Sequence, residues 1–83
     1  MYLINLNTIK RVKAFVNEIL CIESDAVIKS RNGKYVVDAK SIMGIFSLNL
    51  TEILILEIDG EENEFIDKIK NMDILVEELK ETN

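Results

Sequence analysis

The chain has 83 residues, of which 48% are hydrophobic and 30% are charged, and its formal net charge is −5. A chain this short has enough apolar surface for only one core, so we expect a single domain spanning residues 1–83. The negative charge disfavours nucleic acid and anionic membranes as partners. No apolar run approaches the ~20 residues that a membrane-spanning helix needs. These features predict a small soluble domain.

The cysteine content indicates a reducing environment. Cys21 is the only cysteine, so no intramolecular disulfide can form, and residues 1–12 lack the long apolar core of a signal peptide. We therefore expect a cytoplasmic protein. For Cys21 itself, a small buried residue at a helix end is favoured over a reactive thiol, because no basic residue is adjacent in sequence to lower its pKa.

Residues 1–20 predict a strand followed by an amphipathic helix. Over Met1–Leu6, the residues Tyr2, Ile4 and Leu6 alternate with Leu3 and Asn5, which predicts a short strand with one buried face. From Thr8 to about Leu20 the apolar residues recur at spacings of three and four, as in a helix with one apolar face. Either Asn7 or Thr8 is the expected N-cap.

The middle of the chain predicts a hairpin and a short helix. Ala26–Ser30 and Lys34–Ala39 are β-prone, and the Asn32-Gly33 pair between them is a strong turn signal. Ser41 then precedes a short apolar segment, residues 42–46, that contains a glycine. A brief helical turn capped by Ser41 fits this pattern best.

The remaining elements are a strand and a final helix. Residues 53–58 predict a strand that is partly apolar on both faces, and Asp59 is the expected cap of the next helix. Helical spacing of apolar residues then continues to about Lys80, with acidic residues at the start. The order βαββαβα predicts an α+β two-layer sandwich with helices on one face of a sheet, although the pattern alone leaves the strand order open.

One segment resembles a known family. Residues 39–48 read AKSIMGIFSL, which is similar to the regulatory-serine segment of HPr, the phosphocarrier protein of the bacterial sugar phosphotransferase system. The preceding residues, NGKYVVDAKS, resemble the family's hairpin. The resemblance implies an HPr-like open-faced sandwich: a four-stranded antiparallel sheet of order 1-4-2-3, covered on one face by three helices.

The phosphoacceptor of that family is missing. Members begin the first helix with GIHARP or a close variant, and their histidine accepts phosphate from enzyme I. This chain contains no histidine, and residues 6–12 read LNTIKRV. Helical register places the histidine position at Thr8, whereas counting back from Ser41 places it at Lys10. A basic residue persists where the family has its arginine, as Lys10 or Arg11. The chain thus resembles HPr-like paralogues that keep the serine segment without the histidine.

The resemblance implies a regulatory role for Ser41 and the short helix after it. In Gram-positive members this serine is the target of an ATP-dependent kinase, and the apolar residues of the short helix form the docking surface. N-capping alone also explains a serine at this position. If Ser41 is phosphorylated, Lys40 is expected to supply a neighbouring cation. The expected docking residues are Ile42, Met43 and Phe46, of which Met43 and Phe46 should be the most exposed.

A group of basic side chains at the start of the first helix is informative without the resemblance. Lys10, Arg11 and Lys13 lie where cations oppose the helix dipole, at a cost of a few tenths to about 1 kcal/mol each. They indicate either a solvated face or a site for an acidic partner surface or bound anion.

Nothing in the sequence indicates an enzyme, a cofactor or a metal site, because no nucleophile–base pair, metal-ligand cluster or Gly-rich phosphate loop is present. The first hypothesis is a regulatory or adaptor protein that contacts other proteins, such as an HPr-type serine kinase or a transcriptional regulator. The second is a phosphoryl carrier that uses Thr8 or another residue, and the third is a domain with only a structural role. The sequence leaves the oligomeric state open.

Overall fold

The structure is a computed structural model that describes residues 1–79. Its elements are β1 (Tyr2–Ile4), α1 (Ile9–Ile19), β2 (Ala26–Lys29), β3 (Val36–Asp38), α2 (Ile42–Phe46), β4 (Leu54–Ile58), α3 (Asn63–Asn71) and β5 (Leu75–Glu78). The predicted elements up to β4 are present, and their bounds are somewhat shorter than the sequence pattern indicated.

The strands form one antiparallel sheet of order β3-β2-β4-β1-β5. The first four strands have the order 1-4-2-3 that the resemblance implies. The prediction of a four-stranded sheet is wrong, however, because β5 adds a fifth strand at the outer edge of β1. In this pair Tyr2 lies opposite Glu78, and the register shifts between Leu3 and Ile4.

The fifth strand replaces the second half of the predicted last helix. That helix was expected to reach about Lys80, which lies outside the described residues, but α3 ends at Asn71. Asp73 takes a left-handed backbone conformation with φ 61°, which no helical residue can have. The chain then turns back toward the sheet, where the Asn5 N–H donates to the Ile74 carbonyl at 2.8 Å.

The helix starts agree with the sequence in two cases of three. Thr8 caps α1 by accepting from the Arg11 N–H, and Ser41 caps α2 by accepting from the Gly44 N–H. The predicted cap of α3 is wrong, because Asp59 continues the pairing of β4 through its N–H, which donates to the Asp25 carbonyl. The N-cap of α3 is Glu62, whose side chain makes no capping hydrogen bond.

One apolar core joins the helices to one face of the sheet. Alternate strand residues point into it, and α1 and α3 meet there through Phe15 and Phe65, whose rings contact edge to face with centroids 5.8 Å apart. Burial of this core is the main source of stability. The core residues with no exposed surface are Ile4, Leu6, Val12, Phe15, Ile19, Ile28, Ala39, Ile45, Leu54, Leu56, Ile69 and Ile74.

Candidate functional site

The short helix α2 presents an apolar surface to solvent. Ile42, Met43 and Phe46 are 43%, 79% and 48% exposed, whereas Ile45 is completely buried in the core. A helix of five residues has only one side against the sheet, so the remaining apolar side chains have no core to enter. We call Ile42, Met43 and Phe46 the α2 patch. The expected exposure of Met43 and Phe46 is confirmed, and Ile42 is exposed as well.

Ser41 lies at the edge of the α2 patch and is half-buried. Its Oγ accepts a hydrogen bond from the Gly44 N–H at 3.1 Å. Gly44 approaches its neighbours closely, because a Cβ added there would lie 3.2 Å from Val37 Cβ and 3.3 Å from Ser41 Oγ. The absence of a side chain at Gly44 therefore lets α2 pack tightly beside β3.

Lys40, the residue expected to supply a cation beside Ser41, makes a hydrogen bond to the segment after α1, because its Nζ donates to the Ile22 carbonyl at 3.0 Å. The Lys40 N–H donates to the Asp38 carboxylate at 2.9 Å, and the Ser41 N–H donates to the Asp38 carbonyl. The Lys40 ammonium group thus ties the segment before α2 to the end of α1, and a carboxylate lies in the same turn as Ser41.

We call Lys10, Arg11 and Lys13 the basic start of α1. Two of these side chains are exposed, and the third is held by hydrogen bonds. Lys10 and Lys13 are exposed. Arg11 is held on two sides: Nη1 donates to Asn7 Oδ1 at 2.7 Å, and Nη2 donates to Asp73 Oδ2 at 3.3 Å. The Arg11 side chain therefore stabilises the junction between α1 and the end of α3 as well as contributing positive charge.

A cavity of about 550 Å³ lies beside this helix start. It includes both positions that could correspond to the missing histidine, Thr8 and Lys10. Thr8 is the N-cap, and its Oγ1 accepts the Arg11 N–H at 3.1 Å. The lining residues are Thr8, Lys10, Arg11, Ala14, Asn71, Met72 and Asp73.

Residues 71–73 belong to this site, which sequence reasoning missed. They were expected to lie within a continuous helix, whereas the left-handed turn at Asp73 brings them to the start of α1. The signal in the sequence is the Asn71-Met72-Asp73 segment, because Asn and Asp tolerate left-handed conformations better than other residues with a side chain.

The α2 patch and the basic start of α1 are two distinct candidate surfaces. Within residues 1–79, no hydrogen bond or ion pair joins the α2 patch to the basic start of α1. Both helices contribute to the same core, α1 through Val12 and α2 through Ile45. A partner could therefore use either surface without breaking a polar link between them.

Cys21 is exposed, so the expectation that it is buried is wrong. It follows the end of α1 rather than facing the core, and its Sγ donates to the Asn17 carbonyl at 3.4 Å. Within the described part of the chain, no group of three or more His, Cys, Asp or Glu residues is arranged to hold a metal ion. No helix among residues 1–79 is long and apolar enough to cross a membrane.

These elements define a small α+β protein with an HPr-like fold. Among solved structures, the chain is similar to the HPr protein of Thermoanaerobacter tengcongensis crystallised as HPr-C-His, with 26% sequence identity and a TM-score of 0.66. The match covers 88% of this chain and 85% of that chain. No family model matches the chain, and no curated protein matches it.

Proposed function

We propose that the chain is an HPr-like regulatory or adaptor protein related to the bacterial phosphotransferase system, which acts in the cytoplasm through contacts with other proteins. The observation that carries this proposal is the α2 patch. Three large apolar side chains stand in solvent on a fold similar to HPr, and exposed apolar clusters of this kind are typical of protein-binding sites. Met43 suits such a surface because its flexible thioether adapts to different partners.

The chemistry of the chain argues against a histidine phosphocarrier. A phosphoramidate forms on an imidazole nitrogen, and the chain has no histidine. At the two corresponding positions, Thr8 offers a hydroxyl that already caps α1, and Lys10 offers an ammonium ion. A threonine phosphate is an ordinary ester, which is a much poorer phosphoryl donor than a phosphoramidate. We therefore infer a binding protein rather than an enzyme or a relay component.

Ser41 is the proposed regulatory phosphorylation site. A phosphate on its Oγ would bring a charge of about −1.5 to −2 to the start of α2. Its oxygens could replace the hydroxyl as acceptors of the Gly44 N–H. The nearby Asp38 carboxylate opposes this charge, so the modification should alter binding at the α2 patch more than it stabilises the helix. Partners with basic residues would bind the phosphorylated form better.

The regulatory part of the proposal is tested with a purified HPr-type serine kinase and ATP. We expect one phosphate, located on Ser41 by peptide mass spectrometry. Ser41→Ala should remain unmodified, and Ser47→Ala is the matched control because Ser47 lies at the other end of α2. Equal labelling of the Ser41→Ala variant, or no labelling of the wild type, would contradict Ser41 as a kinase site.

The competing phosphoryl-carrier hypothesis is tested with phosphoenolpyruvate and enzyme I. An HPr that carries its histidine serves as the positive control. We expect this chain to gain no phosphate by intact-mass spectrometry, since the imidazole is missing. A stoichiometric gain of one phosphate that disappears in Thr8→Ala would establish the carrier function and refute our proposal.

A further inference from the structure

The face of the sheet opposite the helices carries a row of three aliphatic residues and one lysine across four strands. In the register of the strands, Val36 lies opposite Lys29, Lys29 opposite Ile55, and Ile55 opposite Leu3. These residues alternate with the buried core positions, so they point away from the helices. Val36 is 52% exposed, and Leu3 and Ile55 are half-buried. No element among residues 1–79 covers them.

Two clefts flank Val27 at one end of this face, where β2 begins and β3 and β4 end. Each has a volume of about 360 Å³. They share Asp25, Ala26 and Val27. One cleft is completed by Met1, Glu57, Ile58 and Asp59, and the other by Val36, Val37 and Asp38. Val27 and Val36 continue the row into the clefts, whereas Ala26, Val37 and Ile58 pack against the core.

Among residues 1–79, the charged side chains that line the two clefts are all carboxylates, and Met1, which carries the N-terminal amino group, also lines one cleft. Glu57 is neutralised by Lys29, whose Nζ lies 2.8 Å from Glu57 Oε2. The other three are Asp25, Asp38 and Asp59, all of which are exposed. Asp25 and Asp59 are neighbours across the sheet, because the Asp59 N–H donates to the Asp25 carbonyl at 2.8 Å. The surface therefore combines aliphatic side chains with an excess of carboxylates over cationic groups among residues 1–79.

We propose that this helix-free face is a second docking surface, which binds an amphipathic segment of a partner protein that carries lysine or arginine beside aliphatic or aromatic residues. The partner's apolar side chains would enter the clefts on both sides of Val27. Its cations would pair with Asp25, Asp38 and Asp59.

Charge complementarity favours a partner segment that carries lysine or arginine. Acidic proteins and nucleic acids would be repelled by the same carboxylates, and a purely apolar segment would leave them without partners. Asp38 also accepts the Lys40 N–H in the turn before Ser41, whereas Asp25 and Asp59 take no part in the Ser41 site. The inference rests on these two residues and therefore does not depend on the α2 patch or on Ser41. One molecule could accordingly hold two partners at once, as an adaptor requires.

The probe for this surface is a synthetic peptide of alternating leucine and lysine, titrated into isotope-labelled protein and followed by amide chemical shifts. The matched control peptide replaces lysine with glutamate. We expect the lysine peptide to shift the amides of residues 25–29, 36–38 and 55–59, and the glutamate peptide to shift none of them. Shifts confined to α1 and α2, or spread evenly over all exposed carboxylates, would overturn the proposal.

Two double variants distinguish binding at this surface from general electrostatic attraction to a negatively charged protein. Asp25→Asn with Asp59→Asn removes charge at the clefts, whereas Glu52→Gln with Asp67→Asn removes the same charge from exposed sites elsewhere. The first variant should weaken the lysine peptide about threefold or more, as expected for two exposed ion pairs, and the second should weaken it less. Val27→Gln tests the apolar contribution and should also weaken binding. Equal weakening by both charge variants would refute the proposal, and unchanged amide dispersion verifies that each variant is folded.

Discussion

The Arg11 guanidinium lies 3.3 Å from the Asp73 carboxylate and so joins the start of α1 to the turn that ends α3. Asp73 occupies the left-handed position of a Schellman motif: its N–H donates to the Lys70 carbonyl, and the next residue, Ile74, donates to the Ile69 carbonyl at 3.0 Å. Ile74 is then completely buried. This one turn therefore ends the helix, anchors the chain in the core and directs it into β5.

Substitutions at Asp73 should depend on backbone conformation more than on charge. The carboxylate is 91% exposed, so loss of the ion pair in Asp73→Asn should cost less than about 1 kcal/mol of unfolding free energy. Asp73→Val places a β-branched residue at φ 61° and should cost at least about 1 kcal/mol more. Urea denaturation of the two variants measures the difference. Equal losses would mean that the left-handed turn is not strained by a branched side chain.

The glycine before α3 should tolerate no side chain. Gly60 has φ 147°, and a Cβ there would lie 2.5 Å from Ser24 Oγ, which donates to Glu62 Oε2 at 2.6 Å. We expect Gly60→Ala to cost about 2 to 3 kcal/mol, from backbone strain and displacement of Ser24. Gly33→Ala is the control, because Gly33 also has positive φ but no atom within 4 Å of the added Cβ. Thermal or urea unfolding should show a clearly smaller loss for Gly33→Ala.

The cap of α2 should contribute measurable stability. Ser41→Ala removes the acceptor of the Gly44 N–H and should lower the unfolding free energy by about 1 kcal/mol. Ser41→Asp keeps an acceptor at the same position and should recover most of this loss. The measurement is urea denaturation of both variants and the wild type. If Ser41→Ala is as stable as the wild type, the capping hydrogen bond contributes nothing.

Stability should fall in alkaline solution in a way that depends on Tyr2. Burial, followed by the nearby carboxylates of Glu78 and Glu61, raises the pKa of Tyr2 above its ordinary value of 10.0. The folded state then keeps the phenol proton at a pH where the unfolded chain loses it. This contribution to stability is complete below pH 10 and is lost as the pH rises through the raised pKa.

The Tyr2→Phe variant isolates this effect. The pKa of Lys68 is also raised, chiefly by its hydrogen bond to Glu18, so the wild type has more than one source of alkaline sensitivity. We therefore expect the unfolding free energy of Tyr2→Phe to decline less steeply above pH 10 than that of the wild type. Parallel pH profiles for the two proteins would show that Tyr2 titrates alike in the folded and unfolded states.

Local signals predicted the first part of the fold well. The helical spacing before Leu20, the Asn32-Gly33 turn and the cap at Ser41 each depend on neighbouring residues, and the structure contains all three features. The C-terminal segment could not be predicted in this way. Its apolar residues Phe65, Ile66, Ile69, Met72, Val76 and Leu79 follow helical spacing. In the structure, however, Val76 is exposed, and Ile74, which is not among them, is buried.

The conformation of the C-terminal segment depends on contacts with residues distant in sequence. The outer edge of β1 offers unpaired backbone groups, and residues 75–78 satisfy them as β5. Prediction of the candidate site from sequence is limited for the same reason. The exposure of Met43 and Phe46 follows from the short length of α2, whereas the contact of Arg11 with Asp73 and that of Lys40 with the Ile22 carbonyl join segments far apart in the chain.

Binding of a partner protein by the α2 patch is tested by comparing four proteins, the wild type and three variants, in pull-downs from native cell extract. Met43→Glu places a charge in the patch, and Leu20→Glu places the same charge on an exposed apolar residue at the end of α1. Near-ultraviolet circular dichroism verifies the fold of each. We predict that the wild type and Leu20→Glu retain a common set of proteins that Met43→Glu loses, and that Ser41→Asp changes the amount of them bound. Recovery of the same proteins in the same amounts by the wild type and Met43→Glu would show that the α2 patch binds none of them and would refute the proposed function of this patch.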